Sequence, residues 1–329
     1  MDEAHPHSKT RLAPSPTGAL HLGNARTFLI NWAMARQAGW SILLRIEDLD
    51  GPRIKPGADT QAIDTLAWLG IDWDEGPFWQ SRTPDVFRIA MQRLAESGLA
   101  YPTALSRSDV DRHSAAQTDA ASAPQEGSRE VRFPASLRPP IDRAAMNRGF
   151  DNDTATWRFV VEPGVVDLLD RFAGHSSFDI SQIAGDFIVW TKQRVPAYQL
   201  AVVVDDARQG ITEVVRGDDL LDSAARQLLL YRALGLPNEP THTHLPLVKG
   251  PDGRRLAKRH GDTRLDTYRS LGVPPQRVIG LIAYWCAMID RPEPMSAAAF
   301  LRAFSLDKIP KHAITFSSED DAWLRRGDR

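Results

Sequence analysis

The stretch RLAPSPTGALHLGN, residues 11–24, sets prolines, small residues and His21 directly before ARTFLINWAMARQA, whose apolar spacing is that of a helix. Proline fixes the path into a turn, and glycine lets backbone approach a ligand closely. A helix N-terminus offers unpaired N–H groups and a partial positive charge, so this turn suits an anion. His21 and Asn24 add donors beside it. The pattern is neither the dinucleotide fingerprint nor the lysine-bearing phosphate loop. A second stretch, GPDGRRLAKRHGD at 250–262, sets Arg255, Lys258 and Arg259 on a glycine-rich loop after the strand-like HLPLV. Cations on such a loop can meet polyphosphate as charge develops. By residue type alone each stretch also has an ordinary reading. His21 reads as a helix-start or core histidine, and the loop as solvated basic surface.

Alternating strands and helices must position these residues. SILLRIEDLD reads as a buried strand running into an acidic turn. GADTQAIDTLAWLG and TPDVFRIAMQRLAESG read as amphipathic helices, the second with Thr83 as its cap. Gly39 and Gly235 read as helix stops. AYQLAVVVDD is the most apolar strand-like run, and GDDLLDSAARQLLLYRALG reads as a helix with aspartates for caps. Asp205 and Asp206 read as structural, fixing the loop that leads to GITEVVRG. The expected fold is α/β, a parallel sheet with helices on both faces. EVRFP, TWRFVV and GVVDLLD suggest an inserted α+β module, and the chain from about residue 262 reads as a short helical C-terminal region.

With 329 residues and 42% hydrophobic content, the chain can bury more than one core. No apolar run is long enough for a membrane span. The polar start MDEAHPHSKT lacks the apolar centre of a secretion signal, so a cytoplasmic protein is expected. Cys286, the single cysteine, excludes an intrachain disulfide and a multi-cysteine zinc site, and its apolar surroundings make it a core residue. A net charge of −2 does not announce nucleic acid, so any RNA contact must use local basic patches.

The order of the two stretches within an α/β chain resembles class I aminoacyl-tRNA synthetases of the glutamyl type. HLGN at 21–24 corresponds to their HIGH motif and RLAKR at 255–259 to their KMSKS motif. Asn24 replaces a histidine, Arg255 and Ala257 replace the usual Lys and Ser, and Lys258 is kept. LLRIEDLD, YQLAVVVDD, GITEVVRGDDLL and THLPLV follow in family order. The resemblance implies a Rossmann-like class I catalytic domain split in two, residues 1–100 and 186–250. Between them would lie an acceptor-like module, 101–185, with a mobile segment near 112–128. The KMSKS-type loop and a helical stem-contact-like region would fill 251–329. It implies ATP binding by Pro14, His21, Gly23, Asn24, Arg255, Lys258 and Arg259, with His21 and Lys258 catalytic and Mg²⁺ expected on the polyphosphate. It places Arg11, Ala13, Ser15, Glu47, Tyr198 and Arg216 at the L-glutamate site. Glu47 would meet the ammonium, Arg11 or Arg216 the side-chain carboxylate, and Tyr198 would orient the rest. Each has an ordinary alternative: Glu47 pairing on the surface with Arg45 or Arg53, Tyr198 as a core ring, Arg216 capping a sheet edge.

The chain ends near where the family's anticodon-reading region would begin, so no anticodon-binding domain is expected. That plan, with RIEDLDGPR, resembles the glutamyl-Q tRNA(Asp) synthetase branch. The implied partner is tRNA(Asp) carrying queuosine in its anticodon, met by a monomer. The branch often holds zinc through a Cys-x-Cys pair. Here Thr103 and Leu105 take those places, so zinc is not expected and no metal ligands are assigned. The rivals are a truncated glutamyl-tRNA synthetase acting on tRNA(Glu), and a non-catalytic paralogue binding glutamate or ATP.

Overall fold

A computed structural model describes residues 8–105, 108–110, 112, 132–140, 150, 155–254, 256 and 263–326. The first half lays down β1 (Lys9–Leu12), α1 (Leu22–Ala38), β2 (Ser41–Ile46), α2 (Ala58–Trp68), β3 (Glu75–Trp79) and α3 (Pro84–Glu96). Then come β4 (Ala100–Thr103), β5 (Thr156–Phe159), β6 (Val166–Asp170), β7 (Gly174–Phe178), the one-turn α4 (Ile180–Ile183) and β8 (Phe187–Trp190). The chain continues through α5 (Tyr198–Arg208), β9 (Glu213–Gly217), α6 (Leu221–Ala233), β10 (Thr241–Leu245) and β11 (Val248–Lys249). It closes with α7 (Leu265–Ser270), α8 (Pro275–Trp285), α9 (Ala297–Ala303), β12 (Ile314–Thr315) and α10 (Ser318–Arg325).

The main sheet has seven strands in the order β3-β2-β1-β9-β10-β6-β7, all parallel except the β6–β7 pair. The chain winds outward from β1 through β2 and β3, then returns to β1's other side with β9. In such sheets ligands bind at the carboxyl ends of the strands where the winding reverses, here between β1 and β9. β4, β5 and β8 form a separate antiparallel sheet. The strands between residues 101 and 185 thus divide, with β6 and β7 joining the main sheet.

Period-two alternation sorts the main sheet's side chains onto its two faces. Leu12, Ile42, Leu44, Val215 and Leu245 pack with α1 and the C-terminal helices in one core. Thr10 shares that face, and Asn31 of α1 accepts its hydroxyl proton at 3.0 Å while donating to the Arg11 carbonyl at 3.0 Å. Arg11, Arg45, Arg216 and His244 alternate with those residues and point the other way, toward α5. A second core joins α3, α5 and α6 to the small sheet and β6.

Three expectations change. AYQLAVVVDD is helix α5, not a strand. The helix is buried on several sides, which removes the polar stripe that would have marked it. Thr83 makes no capping bond to α3, its hydroxyl instead accepting from Arg208 at 3.0 Å. The aspartates before α6 do not cap it with their side chains. Gly39 does end α1, in the left-handed conformation at φ 70°. Cys286 is buried, and burial pushes its thiol up, the direction of an inert side chain.

Candidate active site

The turn before α1 is tied together by its own residues. His21 is the N-cap. Its Nδ1 accepts the backbone N–H of Gly23 at 3.1 Å and of Asn24 at 3.4 Å. Asn24 Oδ1 accepts the His21 N–H at 3.1 Å, closing a reciprocal capping box. A neutral imidazole that accepts through Nδ1 carries its proton on Nε2. The cap therefore sets the tautomer of the residue predicted to be catalytic. A Cβ on Gly23 would come within 3.1 Å of that ring, so the glycine lets His21 fold back over its own helix start. The Pro14 carbonyl accepts the Glu47 N–H at 3.1 Å, fastening the end of β2 to the same turn.

Beside this turn lies a cavity of about 780 Å³. Every predicted site residue that the structure describes lines it. Pro14, His21, Gly23 and Asn24 lie with Arg11, Ala13, Ser15, Glu47, Tyr198 and Arg216. Arg255, Lys258 and Arg259, together with Ala257 and most of the segment near 112–128, lie outside the described residues.

The charged wall is a buried array. Asp206 on α5 pairs with Arg11 Nε at 3.2 Å and with Arg45 Nη1 at 2.7 Å, and Arg45 Nη2 reaches Glu47 at 3.3 Å. Burial works against the Asp206 charge, but Arg11 and Arg45 outweigh it and hold its carboxyl below the usual range. Glu47 goes the other way. Burial raises its carboxyl, with Arg45 and Arg11 opposing, and a cation entering the cavity would favour its charged form further. Glu47 does pair with Arg45, but as a buried contact and not on the surface, and it lines the cavity as well. Arg53 pairs instead with Asp50. Tyr198 is 42% exposed, which removes the core-ring alternative, and its hydroxyl faces Arg216. Arg216 is 6% exposed and donates through Nε to His244 Nε2 at 3.0 Å.

Sequence reasoning gives two contributors no role and two others only an ordinary one. His244 and Asp170 carry no local motif, while Arg45 enters only as a partner for Glu47 and Asp206 only as a structural residue leading to GITEVVRG. A usable signal existed for His244, a polar side chain at a period-two position of the strand THTHL. Arg26 of α1 is likewise buried at the cavity wall, its Nη1 donating to the Pro246 carbonyl at 2.6 Å. Thr103 and Leu105 offer nothing to zinc. The Thr103 hydroxyl accepts the Leu105 N–H at 3.1 Å, and Leu105 packs against an apolar cluster.

The family model for class I tRNA synthetases (E and Q), catalytic domain, matches residues 7–320. The chain belongs to that family and is a ligase of the class I aminoacyl-tRNA synthetase type. Within the family it is similar to two proteins named glutamyl-Q tRNA(Asp) synthetase. One, from Symbiobacterium thermophilum, is 43% identical over 96% of this chain and 98% of its own length. The other, from Rhodopirellula baltica, is 44% identical over 92% and 91%. A glutamate–tRNA ligase from Oleidesulfovibrio alaskensis is 36% identical over 96% of this chain, which spans 65% of that protein. Among solved structures, a glutamate–tRNA synthetase from Elizabethkingia anophelis superposes with a TM-score of 0.78 at 28% identity, covering 97% of this chain and 70% of that one. A glutamate tRNA ligase from Elizabethkingia meningosepticum, solved with its amino acid, gives 0.77 at 28% identity, covering 97% and 69%.

Proposed function

We propose that this enzyme activates L-glutamate with ATP, without tRNA, and transfers it to queuosine at the wobble position of tRNA(Asp). In the first step a carboxylate oxygen of glutamate attacks the α-phosphorus, and the bond to the β-phosphate oxygen breaks. Glutamyl-adenylate forms and pyrophosphate leaves. In the second a queuosine ring hydroxyl attacks the acyl carbon and AMP leaves. Such chemistry needs placement and charge stabilisation more than covalent help.

The observation that carries the reading is one cavity lined by two sets of groups. The first set is the start of α1, where His21 Nε2–H and the positive end of the helix, with Gly23 and Asn24 beside them, suit the phosphates while the His21 cap holds the Gly23 and Asn24 N–H groups. Pro14 shapes the turn. The second set is Arg11 and Arg216 for the side-chain carboxylate, Glu47 for the ammonium and Tyr198 to orient the substrate, with Ala13 and Ser15 on the same lining. Lys258, with Arg255 and Arg259, would meet the departing pyrophosphate. Among the described residues no cluster of three metal-ligating side chains occurs, so Mg²⁺ would enter on the polyphosphate.

One fact favours queuosine over the 3′ end of tRNA(Glu): the relatives that this chain spans almost end to end bear the glutamyl-Q name. A second cavity of about 1160 Å³ shares Ser15, Glu47, Tyr198, Asp219 and Leu220 with the first and would leave either acceptor nucleoside room to reach the adenylate. We place the enzyme in the cytoplasm as a monomer; no described helix is long and apolar enough to cross a membrane.

The test has two stages. Glutamate-dependent exchange of pyrophosphate into ATP should proceed without tRNA. Its absence would favour a non-catalytic binding protein. Charging should then be seen on tRNA(Asp) that carries queuosine, and not on the same tRNA without it. Glutamate attached only to tRNA(Glu) would overturn the acceptor assignment.

A further inference from the structure

Arg216 is held in place by a chain of two buried side chains. Asp170, the last residue of β6, is 3% exposed, and its oxygens are filled with donors. Oδ1 accepts the N–H of Phe172 at 2.9 Å and of Ala173 at 2.7 Å. Both oxygens lie 3.1 Å from the His244 N–H, and Oδ2 lies 2.6 Å from His244 Nδ1. Burial alone would raise this carboxyl, but the bonds from the His244 ring and from backbone N–H groups hold it at about 2. An ionised carboxylate only accepts, so the proton between the two sits on Nδ1. Burial, with Arg216 nearby, keeps the His244 ring neutral. Its Nε2 therefore presents a lone pair, and that lone pair takes the Arg216 Nε–H at 3.0 Å. Arg216 Nη2 reaches the Leu220 carbonyl at 3.4 Å, while the buried Nη1 has no hydrogen-bond partner.

We propose that Asp170 and His244 are positioning residues for substrate binding. Asp170 sets the imidazole tautomer, and the imidazole fixes the orientation of the Arg216 guanidinium at the cavity wall for the substrate's side-chain carboxylate. The inference rests on the reading that Arg216 binds that carboxylate. The arrangement has a physical logic. A carboxylate placed directly against Arg216 would compete with the substrate for the guanidinium. A neutral ring fixes the orientation and leaves the positive charge for the guest.

The amide variant separates tautomer from packing. In Asp170→Asn, Oδ1 can still accept from the backbone, while an NH₂ group replaces Oδ2 and donates to His244 Nδ1. The ring proton then moves to Nε2, where it opposes the Arg216 N–H. In tRNA-independent pyrophosphate exchange, KM for glutamate should rise at least tenfold, while KM for ATP and kcat at saturating glutamate stay within about twofold. His244→Leu, which removes the acceptor, should do the same. His244→Gln should recover most of the affinity, because its amide can donate to Asp170 and accept from Arg216. The Arg216→Lys control separates two failures. If Arg216→Lys raises KM for glutamate but folded Asp170→Asn and His244→Leu do not, the positioning chain is wrong and the site reading stands. If Arg216→Lys leaves that KM unchanged, the assignment of Arg216 to the substrate is wrong. Equal effects of Asp170→Asn on both KM values, or His244→Gln behaving as His244→Leu, would mean a merely structural role and overturn the proposal.

Discussion

Arg11 and Arg216 stand on neighbouring strands, point from the same sheet face and line one cavity, yet they are held by opposite means. Arg11 is balanced. With Arg45 it faces Asp206 and Glu47, two cations against two anions in contact. Arg216 is not. Its Nε donates to a neutral imidazole, and the carboxylate behind that ring is one residue further away. Burial draws Arg216 below the ordinary arginine pKa, Arg11 adding to this while Tyr198 opposes it. Arg45 moves the other way. Burial works against its charge, but Asp206 and Glu47 outweigh it. One cluster keeps buried charge tolerable, which is a folding problem. The other keeps a charge unspent, which is a binding problem.

The largest effect should come from the unspent charge. Arg216→Leu should lower kcat/KM for glutamate-dependent pyrophosphate exchange about a thousandfold, on the order of 4 kcal/mol, because the guest carboxylate is left unpaired. Thermal stability should move by less than about 3 °C. A loss of stability as large as the loss of activity would erase the distinction. Next is Asp206→Asn. It leaves Arg11 and Arg45 without their shared counter-charge and should cost about 3 kcal/mol in denaturant unfolding. A stable Asp206→Asn protein would show that Arg11 is no more balanced than Arg216.

The last test is the pH dependence of stability. Asp170 is held at about 2, from an ordinary 3.8. The unfolded chain then takes up a proton that the folded one refuses, so stability rises with pH through this window. About 2 kcal/mol should be present above pH 4 and lost as pH falls toward 2. His242 is drawn down to about 2 from 6.5, first by burial and then by Arg216 and His244, with Asp170 opposing and Arg11 adding to the depression. The sign is the same, but the window opens earlier. Stability should begin to fall below pH 6.5, and His242→Gln should flatten the curve between about pH 6.5 and 4 while leaving the Asp170 portion. An unchanged curve in that variant would place the mild-acid loss elsewhere.

What could be read from the sequence was local. The turn from Pro14 to Asn24 announces itself because proline, glycine, histidine and an apolar helix lie within one short stretch. Glu47 is marked by the acidic end of a buried strand. α5 is not marked, since LAVVV has the branched side chains of a strand, and Asp205 and Asp206 look like its exit when they lie on a helix, Asp206 against Arg11 and Arg45 and Asp205 accepting from Gln80 and Arg208. The Asp170–His244 contact could not be read at all. Its members are 74 residues apart and meet only because β6 is laid beside β10.

The strand order has a consequence for how the chain is made. β1 is synthesised first and acquires β2 soon after, but its other neighbour is β9. Lys9 and Thr212, which join across that seam, are 203 residues apart. At roughly 5–20 residues per second, a ribosome leaves that edge of the nascent sheet unpaired for on the order of 10–40 s. Lys9 and Arg11 put charge along the strand through this interval, the chemistry that discourages edge-to-edge pairing with a neighbouring chain.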